Sequence, residues 1–167
     1  MIKNMKNNNK TINDVTNMLF IDGNRILLGL KKRGFGMGKY NGFGGKPHQN
    51  ETILDAAIRE AREESGLRVK ECYKAGIIDF GDSYLLRMHV YVCTKWVGEP
   101  TESDEMKPVW FANDKIPYDQ MWKDDAYWLP LVLEGKKIKA TFIFMNNDDI
   151  LGTDDNEIVD YKLEEII

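Results

Sequence analysis

The chain has 167 residues, a length that suits one compact domain. Its 43% hydrophobic and 30% charged residues are ordinary for a soluble globular protein, and no apolar run approaches membrane-spanning length. A net charge of −4 argues against a nucleic-acid partner, which needs a basic stripe, and Cys72 and Cys93 form neither a disulfide framework nor a paired metal motif, so a reducing cytoplasm is the simpler setting.

Met1 to Lys10 is rich in Asn and Lys and lacks an apolar core, so it does not read as a secretory signal. Residues 1–13 are expected to be a disordered leader, and 14–167 one domain. Val15 to Ile21 predicts a strand, Asp22-Gly23-Asn24 a turn, and Arg25 to Leu30 the hairpin partner. Lys31-Lys32-Arg33 then opens a glycine-dense segment running to Lys46. Its glycines preclude a regular helix, and it lacks the Gly-Lys-Ser/Thr ending of a phosphate-binding P-loop.

The next element is a helix. Thr52 can cap its N-terminus, with Asp55 completing an approximate capping box, and Gly66 supplies a left-handed stop. Leu54, Ala57, Ile58 and Ala61 fall on one stripe, expected to face a core. Glu60, Glu63 and Glu64 share a second face, roughly 100° around. Strands are then predicted over Val69–Phe80 and Tyr84–Trp96, joined by a Gly81-Asp82 turn, and over Pro108–Phe111. Asp124–Glu134 reads as a helix with Pro130 near its first turns. Lys137–Met145 and Glu157–Leu163 alternate as a closing strand pair. The acidic Asn146–Asn156 between them lacks the glycine of a calcium-binding EF-hand loop. This order predicts an α+β fold, an αβα sandwich.

Three carboxylates so close repel one another, a cost that Arg59 and Arg62 can partly offset. A solvated acidic face is the ordinary reading of such a helix. The preceding Gly42-Phe43-Gly44-Gly45 favours another, because it lets backbone approach, and Mg²⁺ takes carboxylate and carbonyl oxygens while holding substrate phosphates. His48 and His89 have no partner cluster and read as structural or surface residues.

Gly45, Glu51, Arg59-Glu60, Glu63-Glu64, Gly66 and Leu67 stand at the spacing G-x5-E-x7-R-E-U-x-E-E-x-G-U, which resembles the Nudix box. Ala61 departs from it, where the pattern prefers a larger aliphatic. Lys31 to Gly36, Asn41 to Lys46, Glu102 to Met106, and Met121-Trp122 with Asp124-Asp125 and Tyr127-Trp128 look like the oxidised-purine nucleoside triphosphatases of that superfamily. Lys39-Tyr40 departs from that subfamily's basic residue followed by Trp.

The resemblance implies the Nudix αβα sandwich, with a mixed sheet, and hydrolysis of a nucleoside triphosphate to monophosphate and pyrophosphate. It implies Mg²⁺ (or Mn²⁺) held by Glu60, Glu63, Glu64, Glu105 and the Gly44 carbonyl, and water deprotonated by Glu63 or Glu64. Arg59 and Glu51 orient these glutamates. Substrate contacts are implied for Thr16, Lys31, Phe35, Asn41, Phe43, Gly45, Lys46, Trp122, Asp124 and Asp125. Asn41 and the two aspartates would read a purine edge, with one proton shared between the carboxyls, and Trp122 and Phe35 would sandwich the base. Asp124 can also cap its helix, and plain core packing is the other reading of Phe35 and, less so, of Trp122. The expected partner is a small nucleotide bound to a cytoplasmic monomer, with no nucleic acid or membrane. Another nucleotide substrate (a methylated purine triphosphate, sugar nucleotide, dinucleotide or capped RNA end) is the alternative within enzymes, and a catalytically silent nucleotide sensor the alternative outside them.

Overall fold

A computed structural model describes residues 12–81, 85–146 and 156–167. Residues 1–11 of the expected 1–13 leader, Asp82 of the predicted turn, Tyr84 of the predicted strand and the interior of the 146–156 segment lie outside them. The described elements are β1 (Ile12–Asp22), β2 (Arg25–Lys31), β3 (Tyr40–Asn41), α1 (Ile53–Ser65), β4 (Arg68–Phe80), β5 (Leu85–Val97), β6 (Met106–Ala112), α2 (Asp125–Leu133), β7 (Lys137–Phe144) and β8 (Ile158–Ile166). They form one mixed eight-stranded sheet in the order β3-β2-β1-β5-β4-β7-β8, with β6 on the free edge of β2. Among the described residues no helix is long and apolar enough to cross a membrane.

Strand alternation divides the interior into two layers. Met18, Phe20, Tyr91 and Cys93 face α1 and meet Ala57 and Ala61. Leu19, Val90 and Val92 face α2 and meet Trp128, Leu129 and Val132. The expected αβα sandwich is thus formed, one helix on each face. β1 starts at Ile12, earlier than the strand expected from Val15, and pairs in parallel with β5 from Ile12↔Leu85 to Phe20↔Cys93. That pairing is non-local, so apolar content alone underestimates the strand.

β1 and β2 splay apart. They pair only near their turn, from Phe20↔Leu27 to Asp22↔Arg25. Beyond it the 40–45 segment fills the opening. Asn41 pairs with Gly29 of β2. Phe43 exchanges backbone hydrogen bonds with Met18, and Thr16 N–H donates to Gly45 O at 2.9 Å. The glycine-dense stretch is therefore a bridge between two diverging strands.

Helix α1 has the expected ends. Thr52 Oγ1 accepts from Asp55 N–H at 3.1 Å, and Gly66 adopts φ 79° while its N–H donates to Arg62 O. Its rotation differs from expectation. The contact ridge runs through Ile53, Ala57 and Ala61 to Glu64, at i, i+4, i+8 and i+11, which leaves Leu54 40% exposed. Glu64 thus lies on the buried ridge rather than on a separate acidic face. In α2, Pro130 sits mid-helix, where no backbone N–H is available for the Ala126 carbonyl. The ends of the 146–156 segment are joined: Asn146 N–H donates to Asn156 Oδ1 at 2.8 Å, and Asn156 Nδ2 donates to Asn146 O at 3.0 Å.

Candidate active site

Two cavities meet at the wedge between β1 and β2, and Lys31, Gly44 and Glu64 line both. The larger, about 520 Å³, is walled by Glu60, Glu63, Glu64, Asp104 and Glu105. The smaller, about 170 Å³, runs to Asn41, Trp122, Asp124 and Asp125 on the α2 side.

The acidic wall is graded by burial. Glu64 is 6% exposed, Glu60 is mostly covered, and Glu63 is open to solvent. Gly44 N–H donates to Glu64 Oε1 at 2.9 Å. Burial is the main cause that pushes the Glu64 carboxyl up to about 7, with Glu60 and Glu105 adding to it and Gly44 N–H and Lys31 opposing it. Arg59 spans the row, bonding Glu51 at 2.7 Å, Glu60 at 2.8 Å and Glu63 at 3.2 Å. Its bond to Glu51, helped by His48 N–H, holds the Glu51 carboxyl down at about 2. Arg59 also donates to the Lys46 carbonyl at 3.2 Å, tying the loop to the helix. A Cβ at Gly44 would collide with the Thr16 carbonyl, and one at Gly45 would come within 2.6 Å of Glu60 Oε1. Gly44 is required by close approach to backbone, whereas at Gly45 only the movable end of the Glu60 side chain would have to shift.

The wall suits a hard divalent ion, since its side-chain donors are all oxygens. Among the described residues no three such side chains already converge as a metal cluster. Instead Glu60 and Glu63 turn to Arg59, and Glu105 turns to Lys31 at 3.0 Å and Arg33 at 2.6 Å. Those two cations, through their hydrogen bonds above all, keep the Glu105 carboxyl below its usual range.

The smaller cavity ends on two buried aspartates. Asp124 is 1% and Asp125 5% exposed. Asp124 Oδ2 accepts from Trp128 Nε1 at 2.9 Å, and Asp125 Oδ2 accepts from Trp122 N–H at 3.1 Å. Asp124 makes no side-chain cap to α2, although it occupies the cap position. Burial pushes the Asp124 carboxyl up to about 6, against the Trp128 indole. Burial, reinforced by the Asp124 charge, pushes Asp125 well above the usual range. Asp124 Oδ1 and Asn17 Oδ1 are buried with no hydrogen-bond partner among the described residues. Unpaired buried acceptors are costly, and here both belong to residues lining one cavity.

Most of the expected contact residues are brought together. Thr16 exchanges hydrogen bonds with the backbone of Gly45 at 3.2 Å and reaches the cavity, as do Lys31, Phe35, Asn41, Trp122 and both aspartates. Phe43 is not among them. It is fully buried in the α1 layer, edge-on to Phe20 at 5.8 Å, on the face opposite its neighbours Gly42 and Gly44, which line the smaller cavity. Lys46 is exposed and lines neither cavity. Phe35, 65% exposed, is no core residue. Its ring stacks directly on Trp122, with centroids 5.3 Å apart. A base held between two rings needs about 7 Å, twice the contact distance, so the expected sandwich is closed on itself. His89 is buried and structural, between Asp14 at 2.7 Å and Lys74 at 2.8 Å.

Sequence reasoning did not single out Asn17, Met88 or Phe80, which also line the smaller cavity. Asn17 carried a signal. It is an amide in an apolar strand, two residues from Leu19 and so on the same inward face. Asn17→Leu is expected to raise the stability of the free protein by about 1 kcal/mol, by removing an unpaired acceptor, and to lower kcat/KM about tenfold. Thermal melts and steady-state rates on one preparation test both.

The NUDIX domain pattern matches residues 12–132. The chain is 47% identical over 155 residues to a Danio rerio protein named oxidized purine nucleoside triphosphate hydrolase, covering 91% of this chain and 94% of the relative. A Mus musculus protein of the same name is 48% identical over 140 residues, covering 82% and 90%. A solved MutT protein from Bacillus halodurans superposes with a TM-score of 0.75 at 28% identity, covering 91% of this chain and 97% of that one.

Proposed function

Because the chain belongs to the NUDIX domain family, we propose that it hydrolyses oxidised purine nucleoside triphosphates to the monophosphate and pyrophosphate, clearing them from the nucleotide pool. It is a Nudix pyrophosphohydrolase, and enzymes of this family use divalent metal ions. The observation that carries the purine reading is the buried Asp124–Asp125 pair with its unpaired acceptor, at the far end of a cavity that reaches Glu64.

The base enters the smaller cavity and its phosphates extend through the wedge into the acidic one. Asp124 and Asp125 share a proton, so the pair presents one donor and one acceptor to a purine's carbonyl and N–H groups. Asn41 and Asn17 add amide contacts, and Trp122 offers a ring face once Phe35 moves aside. The fit to Mg²⁺ rests on Glu60, Glu63, Glu64 and Glu105, with the Gly44 carbonyl, as its holders. Bound there, a divalent ion would supply charge to neutralise phosphate oxygens and to make a water more acidic. Glu63 and Glu64 stand on the wall where the attacking water's proton is taken. Arg59 keeps Glu60 and Glu63 aligned and Glu51 anchors Arg59, so neither needs to touch substrate.

Chelation with EDTA is expected to abolish pyrophosphate release from 8-oxo-dGTP, and Mg²⁺ to restore it. Comparing dGTP, 8-oxo-dGTP, 2-hydroxy-dATP and ADP-ribose on that preparation tests the substrate reading. Turnover of ADP-ribose in preference to the triphosphates would refute it and leave the family chemistry intact.

A further inference from the structure

Glu105 is an acid of the larger cavity whose carboxylate is engaged by two cations, Lys31 on Oε2 and Arg33 on Oε1. Its loop does not depend on them. Lys32 N–H donates to Glu105 O at 2.8 Å, Ser103 N–H donates to Met106 O at 2.9 Å, and Met106 N–H donates to Ser103 Oγ at 3.1 Å. None of those ties uses the Lys31 or Arg33 side chain, and they hold the loop against β2 without them. The Arg33 guanidinium is mostly exposed, where an ion pair contributes little to folding. Lys31 stands where both cavities meet.

Glu105 offers the oxygens a hard cation takes, while Arg33 and Lys31 offer the donors that phosphate oxygens take. As long as they bind each other, neither can do so. The arrangement holds opposite charges together in a cavity of five acids that must receive a polyanion.

We propose that Arg33, together with Lys31, is a transferable counter-ion, neutralising Glu105 until a divalent ion takes that carboxylate and then passing to the triphosphate of the substrate. This deepens the reading above and rests on it. Two positive charges leave Glu105 as a doubly charged ion arrives, so the cavity stays balanced, and the released cations meet phosphate charge.

The exchange gives Arg33→Ala two effects of opposite sign. The variant loses a competitor for Glu105 and a donor to phosphate. Calorimetric titrations with Mn²⁺ alone, and with inorganic tripolyphosphate in saturating Mg²⁺, read the two separately. Lys32→Ala is the control, since Lys32 bonds Glu102 at 3.0 Å and the Ser103 carbonyl at 2.9 Å instead. Arg33→Ala is expected to bind Mn²⁺ about threefold more tightly and Mg-tripolyphosphate about tenfold more weakly, with Lys32→Ala close to wild type in both. Unchanged affinities overturn the proposal. So does a loss of both together, which would make Arg33 a support for the loop. Neither probe carries a base, so this outcome is separate from the purine reading, which fails if wild type binds 8-oxo-dGMP no better than dGMP.

Discussion

Glu64→Gln is expected to lower kcat by roughly 10³-fold, the loss typical of removing one electrostatic group from the reacting centre, while making the metal-free protein more stable at pH 8. The two effects have one origin. Glu64 is placed on the buried ridge of α1, where its charge is poorly solvated and its carboxyl is pushed up to about 7. A carboxyl raised in the folded state contributes stability that is fully present below its unfolded value, near 4.5, and that is lost as pH rises through about 7. At pH 8 the free protein therefore carries a charged-state penalty on the order of 3 kcal/mol. Gln carries none, and its amide oxygen can still accept from Gly44 N–H. Melting curves in EDTA should separate variant from wild type at pH 8 and bring them together near pH 4.5. Undiminished turnover of the variant with Mg²⁺ would remove Glu64 from the metal site.

Asp124→Asn is expected to lower kcat/KM for 8-oxo-dGTP by about 10²–10³-fold and to flatten its pH dependence, because a site built to hydrogen-bond a substrate loses most when one polar partner is mismatched. In the wild type burial raises both carboxyls, Asp124 up to about 6, and the charge on one holds the proton on its neighbour. Below that pH both carboxyls are protonated and the pair can only offer two donors. As pH rises through about 6 the pair becomes one donor and one acceptor, which is what a guanine-type edge of carbonyl and N–H groups requires. kcat/KM for 8-oxo-dGTP should accordingly climb between pH 5 and 7 in the wild type, with no matching rise in the variant. A variant with the wild-type profile and unchanged preference among purines would show that the base is read elsewhere.

The helix and its carboxylates were legible because their signals are local: a cap, a stop and fixed spacing within 13 helical residues. The exact rotation was not. Ile53 and Leu54 are both large aliphatics, and which of them meets the sheet depends on how Ala57 and Ala61 seat against Met18 and Phe20. The wedge was also hidden, since the divergence of β1 from β2 appears only when β5 and the 40–45 segment are placed on β1. For the same reason Phe43 was grouped with its neighbours in the motif, though the backbone turns it the other way. The pairing of Asp124 with Asp125 was readable, but not the Trp128 indole that separates their roles four residues on. The contact between Phe35 and Trp122 joins residues 87 positions apart and leaves no periodic trace.

The sheet itself stands between the two ends of the site. Asp124 and Asp125 belong to the α2 layer and Glu60, Glu63 and Glu64 to α1, and the opening beside β1 connects them. Selection can then act on one layer with little disturbance to the other. Under the proposed function, changes on the α2 side would retune which base is accepted while the helix assigned to the phosphate chain keeps its packing. A fold partitioned in this way can give rise to descendants with new substrates and an unaltered reaction.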